Sequence, residues 1–169
     1  MKFILALFAL FLAGVSAYPV PVDCRGVTHQ PLAEMVVIQD FGHLNHVGVD
    51  YVASTGTKVY SMMDGIVVIA ADDNRVYGRH VMILQCDGYA PLYGHLSSLD
   101  VKFGQVVSAG DIIGLSGGGL DDPNHGMSSG PHLHFEIRVP GHLDNNLYNI
   151  NPVIYWDLVH RVGELPEER

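Results

Sequence analysis

The sequence predicts an all-β domain: an antiparallel sheet core followed by one short C-terminal helix. Short apolar or alternating runs rich in Val, Ile and Tyr recur at "MVVIQ", "HVGVDYVA", "KVYSMM", "GIVVIAA", "RHVMILQC", "APLYGHL", "DIIGLS" and "HLHFEIRV". Such residues suit a pleated, half-buried surface. Turn formers separate the runs, and Asp64-Gly65 and Asp87-Gly88 are the hairpin signals. Asp64-Gly65 is expected to fold "KVYSMM" back on "GIVVIAA". The one helical segment is "NPVIYWDLVHR", where Asn151 can cap, Pro152 suits the first helical position and one side is apolar.

The ends of the chain read differently from this core. Lys2, an uninterrupted apolar run from Phe3 to Val15 and the small residues Val15 and Ala17 form the pattern of a secretory leader over 1–17. The run of about 13 residues is too short to cross a bilayer, which takes roughly 20. The expected organisation is a leader (1–17), an N-terminal extension (18–39), one core domain (40–155) and an acidic tail (156–169). The expected product is a secreted protein with no membrane segment. Cys24 and Cys86 are the only cysteines of the 169 residues. In an oxidising compartment they are expected to form one disulfide, contributing about 4 kcal/mol in the chain-entropy model.

Charge narrows the function classes. The whole chain carries 18 Asp and Glu against 9 Lys and Arg, a formal net charge of −9. An acidic chain lacks the Lys and Arg surplus that neutralises phosphates, so nucleic acid is not an expected partner. The same sign gives no electrostatic help toward an anionic membrane or wall. The ten histidines are the more informative feature, since imidazoles titrate near working pH.

Alternation along strands sorts these histidines. In "HVGVD", His46, Gly48 and Asp50 share one face while Val47, Val49 and Tyr51 take the other. In "HLHFEI", His132, His134 and Glu136 share a face opposite Leu133, Phe135 and Ile137. Each strand thus has an apolar side for a core and a side bearing imidazole and carboxylate. Two histidines and a carboxylate with an open position form a catalytic zinc arrangement, and a thiolate-free set fits zinc. Taken singly, each histidine is more simply a hydrogen-bonded surface residue; the two patterns together favour a metal site. His95 in "LYGHLSSLDV" is a loop-edge histidine by itself and a proton carrier beside a metal. The helical H-E-x-x-H motif is absent. A hydrolytic site would therefore need a histidine base, with Glu136 as a second candidate.

Three further features look weaker. "GLSGG" (114–118) matches G-x-S-x-G, but glycines and "LDDPNHG" follow where a nucleophile elbow needs a helix. No Gly-Lys-Ser/Thr follows to make those glycines a phosphate loop. His43 and His125 read as loop histidines. The segment "GGGLDDPNHGMSSG" (117–130) is long for a connection in a compact domain, and such loops often wall or cover a site.

The segments "HVGVDYVASTGTKVYSMMDGIVV", "YGRHVMI", "LYGHLSSLDVKFGQVVSAGDIIGLSG" and "SGPHLHFEIR" closely resemble the lysostaphin/LytM-type (peptidase M23) zinc metallopeptidases, over about residues 40–155. The resemblance implies one zinc per chain held by His46, Asp50 and His134, with His95 and His132 as the catalytic histidines. It implies metal-assisted amide hydrolysis on bacterial peptidoglycan peptides, at cross-bridges or stem peptides, with His95 or His132 moving the proton. Two segments depart from the family pattern, the short approach "QDFGHLNH" and the longer 119–130 loop, and both are expected to flank the substrate groove. The competing reading is a secreted, zinc-stabilised binding or signalling module on the same scaffold without turnover.

Overall fold

The computed structural model describes residues 27–142 and 148–163. The expected leader, Cys24 and with it the expected Cys24–Cys86 bridge, and the final residues 164–169 lie outside the described residues. Among those described, the strands are β1 (Val37–Gln39), β2 (Val49–Tyr51), β3 (Lys58–Tyr60), β4 (Gly65–Ala71), β5 (Arg79–Gln85), β6 (Ala90–Leu99), β7 (Val106–Val107), β8 (Ile112–Ser116), β9 (Leu133–Arg138) and β10 (Asn149–Ile150), followed by helix α1 (Pro152–Gly163). They form one sheet in the order β1-β2-β9-β6-β5-β4-β7; β10 also pairs β9, and β8 pairs both β3 and β6. Every pairing is antiparallel. All eight runs read as strands in the sequence contribute to this sheet, while the two-residue strands β7 and β10 carry too little pattern to be foreseen. No helix among the described residues is long and apolar enough to cross a membrane.

One turn behaves as expected and one does not. At Asp87-Gly88, Gly88 takes φ +84, its N–H donates to the Gln85 carbonyl at 3.0 Å, and the Asp87 carboxylate accepts the Tyr89 N–H at 3.0 Å. That closes the β5–β6 hairpin. Asp64-Gly65 does not fold β3 onto β4, because β3 pairs β8 and β4 pairs β5 and β7. Two contacts explain the difference. Asp64 Oδ1 is engaged by the Ala109 N–H at 2.8 Å, and Gly65 is a close-approach glycine, where a Cβ would lie 2.6 Å from the Leu84 carbonyl oxygen.

The apolar faces meet in one main core that includes Val49, Val67, Val81, Tyr93, Leu96, Ile113, Leu133, Phe135, Ile137 and Tyr155. Leu32, from the segment before β1, is buried there too. Helix α1 seals this core. Asn151 Oδ1 accepts the Val153 N–H at 2.9 Å as a side-chain cap, and Tyr155 packs inward with 1% of its surface exposed.

Strand β6 contains the departure that matters for function. Tyr93 and Leu96 both enter the main core, although three residues apart they would fall on opposite faces of a regular strand. An extra residue on β6 accounts for this, since Val81 opposes Tyr93 while Arg79 opposes Leu96. The bulge places His95 at φ +57, a left-handed conformation uncommon outside glycine. The shift in parity frees the His95 imidazole from the core side.

Candidate metal centre and its flanking histidines

The polar face of β9 lies between two neighbours whose register lines up on one residue. His134 opposes Asp50 on β2 and Gly94 on β6. His46 comes from the turn just before β2. The result is convergence: Asp50 Oδ1 lies 2.8 Å from His134 Nδ1 and 3.2 Å from His46 Nε2, and the two imidazole nitrogens are 3.0 Å apart. The three donor atoms all fall within 4.8 Å of one another. Gly48, read in the sequence as room for an approach, is filled by His134 itself. A Cβ at Gly48 would sit 2.9 Å from His134 Cε1.

Each imidazole is held from behind. His46 Nδ1 donates to the Asp40 carbonyl at 3.3 Å. His134 Nε2 donates to Glu136 Oε1 at 3.0 Å, which leaves Nδ1 toward Asp50 and His46. Glu136 lies behind His134, fully buried, so it is no candidate for a base facing the cavity. Burial works against charge on His134, but hydrogen bonds to the Asp50 and Glu136 carboxylates outweigh it and push its pKa up to about 9 in the metal-free protein. Burial likewise opposes the Asp50 charge, yet the hydrogen bond from His134 and the neighbouring imidazoles hold its carboxyl below the usual range.

The two other histidines reach the same place from the β6 bulge and from the loop end just before β9. His132 precedes β9, its Nε2 lies 3.7 Å from Asp50 Oδ1, and its Nδ1 donates to the Gly130 carbonyl at 2.8 Å. His95 Nδ1 donates to the His125 carbonyl at 2.9 Å. A carbonyl can only accept, so each neutral imidazole keeps its proton on Nδ1 and a lone pair on Nε2. The ring centroids of His95 and His132 are 4.7 Å apart. Burial, reinforced by His132 and His134, pushes the His95 pKa down to about 3. His95 is therefore a neutral acceptor at any ordinary pH.

All five residues singled out in the sequence line one cavity of about 440 Å³, which Leu44, Val76, Tyr77 and Met127 also border. His43 stays exposed on the 3-10 turn. Ser116 of "GLSGG" ends β8, buried, with its hydroxyl donating to the Ser54 carbonyl at 2.6 Å. No helix follows it. Sequence reasoning missed the carbonyls of His125 and Gly130, which have no side-chain signature. It also missed Asn149, whose Nδ2 reaches Glu136 Oε2 at 2.9 Å; two-residue β10 offers no pattern from which to find it.

Structural metal sites close their coordination with a fourth protein ligand, whereas three ligands beside a cavity and unligated imidazoles belong to the hydrolytic metalloenzymes. That class has a family here. The sequence profile of Peptidase family M23 matches residues 44–152, and the chain belongs to that family. It is 44% identical over 97 residues to the peptidoglycan DD-endopeptidase ShyA of Vibrio cholerae, covering 57% of this chain and 21% of that protein. It is 40% identical over 103 residues to the glycyl-glycine endopeptidase ALE-1 of Staphylococcus capitis, covering 60% of this chain and 26% of that protein. The chain thus spans about a fifth to a quarter of the length of these curated relatives. Among solved structures, the antimicrobial peptidase lysostaphin from Staphylococcus simulans superposes with a TM-score of 0.67 at 30% identity, over 83% of this chain and 58% of that one.

Proposed function

We propose that this chain is a secreted, zinc-dependent endopeptidase that hydrolyses peptide bonds in the cross-bridges or stem peptides of bacterial peptidoglycan. In this reading residues 40–155 are the catalytic core, 1–17 a leader removed on export, 18–39 an extension and 156–169 a tail, with Cys24 bridged to Cys86. The observation that carries it is the division of the cavity between three converging candidate ligand atoms and two imidazoles held from behind through Nδ1 by backbone carbonyls. The donor set suits zinc, with two imidazoles, one carboxylate and no thiolate. His46, Asp50 and His134 would hold it.

Bound there, zinc supplies a Lewis acid that activates water and polarises the scissile carbonyl. The chain's own residues supply the proton handling. His95 holds its Nδ1 on the His125 carbonyl and borders the cavity, so its Nε2 lone pair can accept a proton when the nucleophile forms. Whichever of His95 and His132 takes that proton returns the same proton to the leaving amine, His132 Nε2 lying close to Asp50, and the protonated imidazole stabilises developing negative charge on the substrate in between. The backbone carbonyls behind both rings keep each Nε2 aimed into the cavity.

The test is metal analysis of the purified protein together with mass spectrometry of digested peptidoglycan. The expected result is one zinc per chain and newly freed amine and carboxyl ends. His132→Ala should lower turnover by roughly 10²- to 10⁴-fold, the usual contribution of a general acid–base group. Stoichiometric zinc without any cleavage would favour the non-catalytic binding module. Absence of zinc would reject both.

A further inference from the structure

We infer that Glu136 and Asn149 are positioning residues: a buried carboxylate, clipped in place by an amide from β10, that orients His134 toward the metal. The inference rests on the reading of His46, Asp50 and His134 as a zinc site.

The starting point is a carboxylate with no exposed surface, an arrangement that survives only when both oxygens are fully engaged. Glu136 Oε1 takes the Nε2 proton of His134 at 3.0 Å. Oε2 accepts from Arg138 Nε at 3.2 Å and from Asn149 Nδ2 at 2.9 Å. Arg138 is itself fixed from above, donating through Nη2 to the Tyr77 hydroxyl at 3.1 Å. Being an acceptor only, the carboxylate demands a proton on Nε2 and orients the ring accordingly. Outer partners of this kind set the tautomer and basicity of a ligating imidazole.

Asn149 extends the device across the site. Its Nδ2 also donates to the carbonyl of Val47 at 2.9 Å, the residue directly after His46. One amide group thus ties the carboxylate behind His134 to the segment that carries His46. Both of its N–H groups are spent on acceptors, while its buried Oδ1 finds no partner among the described residues. Donation is what this position requires. An aspartate of the same shape could not supply it and would set a second carboxylate against Glu136.

The experiment measures zinc affinity by competition with a chromophoric chelator in wild type, Glu136→Gln, Asn149→Ala and Asn149→Asp. Alongside it, ¹⁵N–¹H spectra of the zinc-loaded proteins report which His134 nitrogen carries the proton. Glu136→Gln is expected to weaken zinc binding by roughly 10- to 100-fold and to disturb the Nε2–H signal, while thermal melts of the metal-free proteins monitor folding. Asn149→Asp should weaken zinc more than Asn149→Ala. Should Glu136→Gln fail to fold, the Asn149 pair and the wild-type spectrum still decide. Zinc affinities within about twofold of wild type in the folded variants, or a wild-type His134 protonated on Nδ1, would overturn the inference while leaving the zinc site standing. Wild-type protein that takes up no zinc would overturn both.

Discussion

His134 and His95 sit with ring centroids 5.7 Å apart, are equally buried at 6% exposure, and are pushed in opposite directions. His134 has a carboxylate on each nitrogen, and those partners overcome its burial to raise its pKa to about 9. His95 has only a backbone carbonyl behind it, and burial lowers it to about 3. The lesson is that the partner, more than the depth, decides what a buried imidazole does. The carboxylate-backed region belongs to strands in strict register. The carbonyl-backed region belongs to a loop, the 117–130 segment, which reaches over β6 and supplies both the His125 and Gly130 oxygens.

This contrast breaks or survives on four measurements. The largest effect is expected from His134→Ala or Asp50→Ala, which should weaken zinc binding by well over the roughly 100-fold that an outer-shell change costs. Metal content after dialysis checks it. His95→Gln should do the reverse, leaving zinc uptake within a few-fold while lowering turnover about 10²- to 10⁴-fold. Zinc loss in that variant would merge the two regions into one.

Next comes the loop clamp. Arg79 pairs through Nε with Asp72 at 2.7 Å, bridges through its guanidinium to Asp122, and donates its N–H to the Asn124 carbonyl at 3.1 Å. Arg79→Ala should free the loop that aims His95. We expect a loss of about 1–2 kcal/mol of stability and roughly a tenfold fall in kcat, with zinc affinity unchanged. Urea unfolding and steady-state kinetics give both numbers.

The fourth measurement is of the pH dependence of stability. His95 takes up a proton near pH 6.5 when unfolded but only near 3 when folded. The unfolded chain therefore binds more protons between those values. The stability due to neutral His95 is complete above pH 6.5 and is lost as pH falls toward 3, by up to about 1.4 kcal/mol per pH unit. Metal-free His95→Gln should accordingly show a flatter stability profile than wild type from pH 6.5 to 4. Parallel profiles would mean that His95 is solvated.

What could be read in advance follows the same division. Asp50 and His134 are visible because strand alternation puts them on one face and their apolar neighbours on the other, and His46 and His132, just before those strands, continue the same spacing. Glu136 was visible as a member of that face, but not as a residue placed behind His134. Asp64-Gly65 misled because the dipeptide is ambiguous: a turn glycine and a close-packing glycine look the same until Leu84 lies against it. His95 could be selected from its motif, yet nothing local announces the bulge that swings it to the other side of β6. The carbonyls that aim His95 and His132 belong to a loop whose path is set by contacts distant in sequence, such as Arg79 with Asp122.

The left-handed backbone at His95 has a further consequence. An imidazole held there costs about 1–3 kcal/mol that glycine would not incur to the same degree. A His95→Gly exchange would relieve that strain and take the imidazole out of the cavity in one step, so folding stability and the cavity's proton chemistry pull against each other at residue 95.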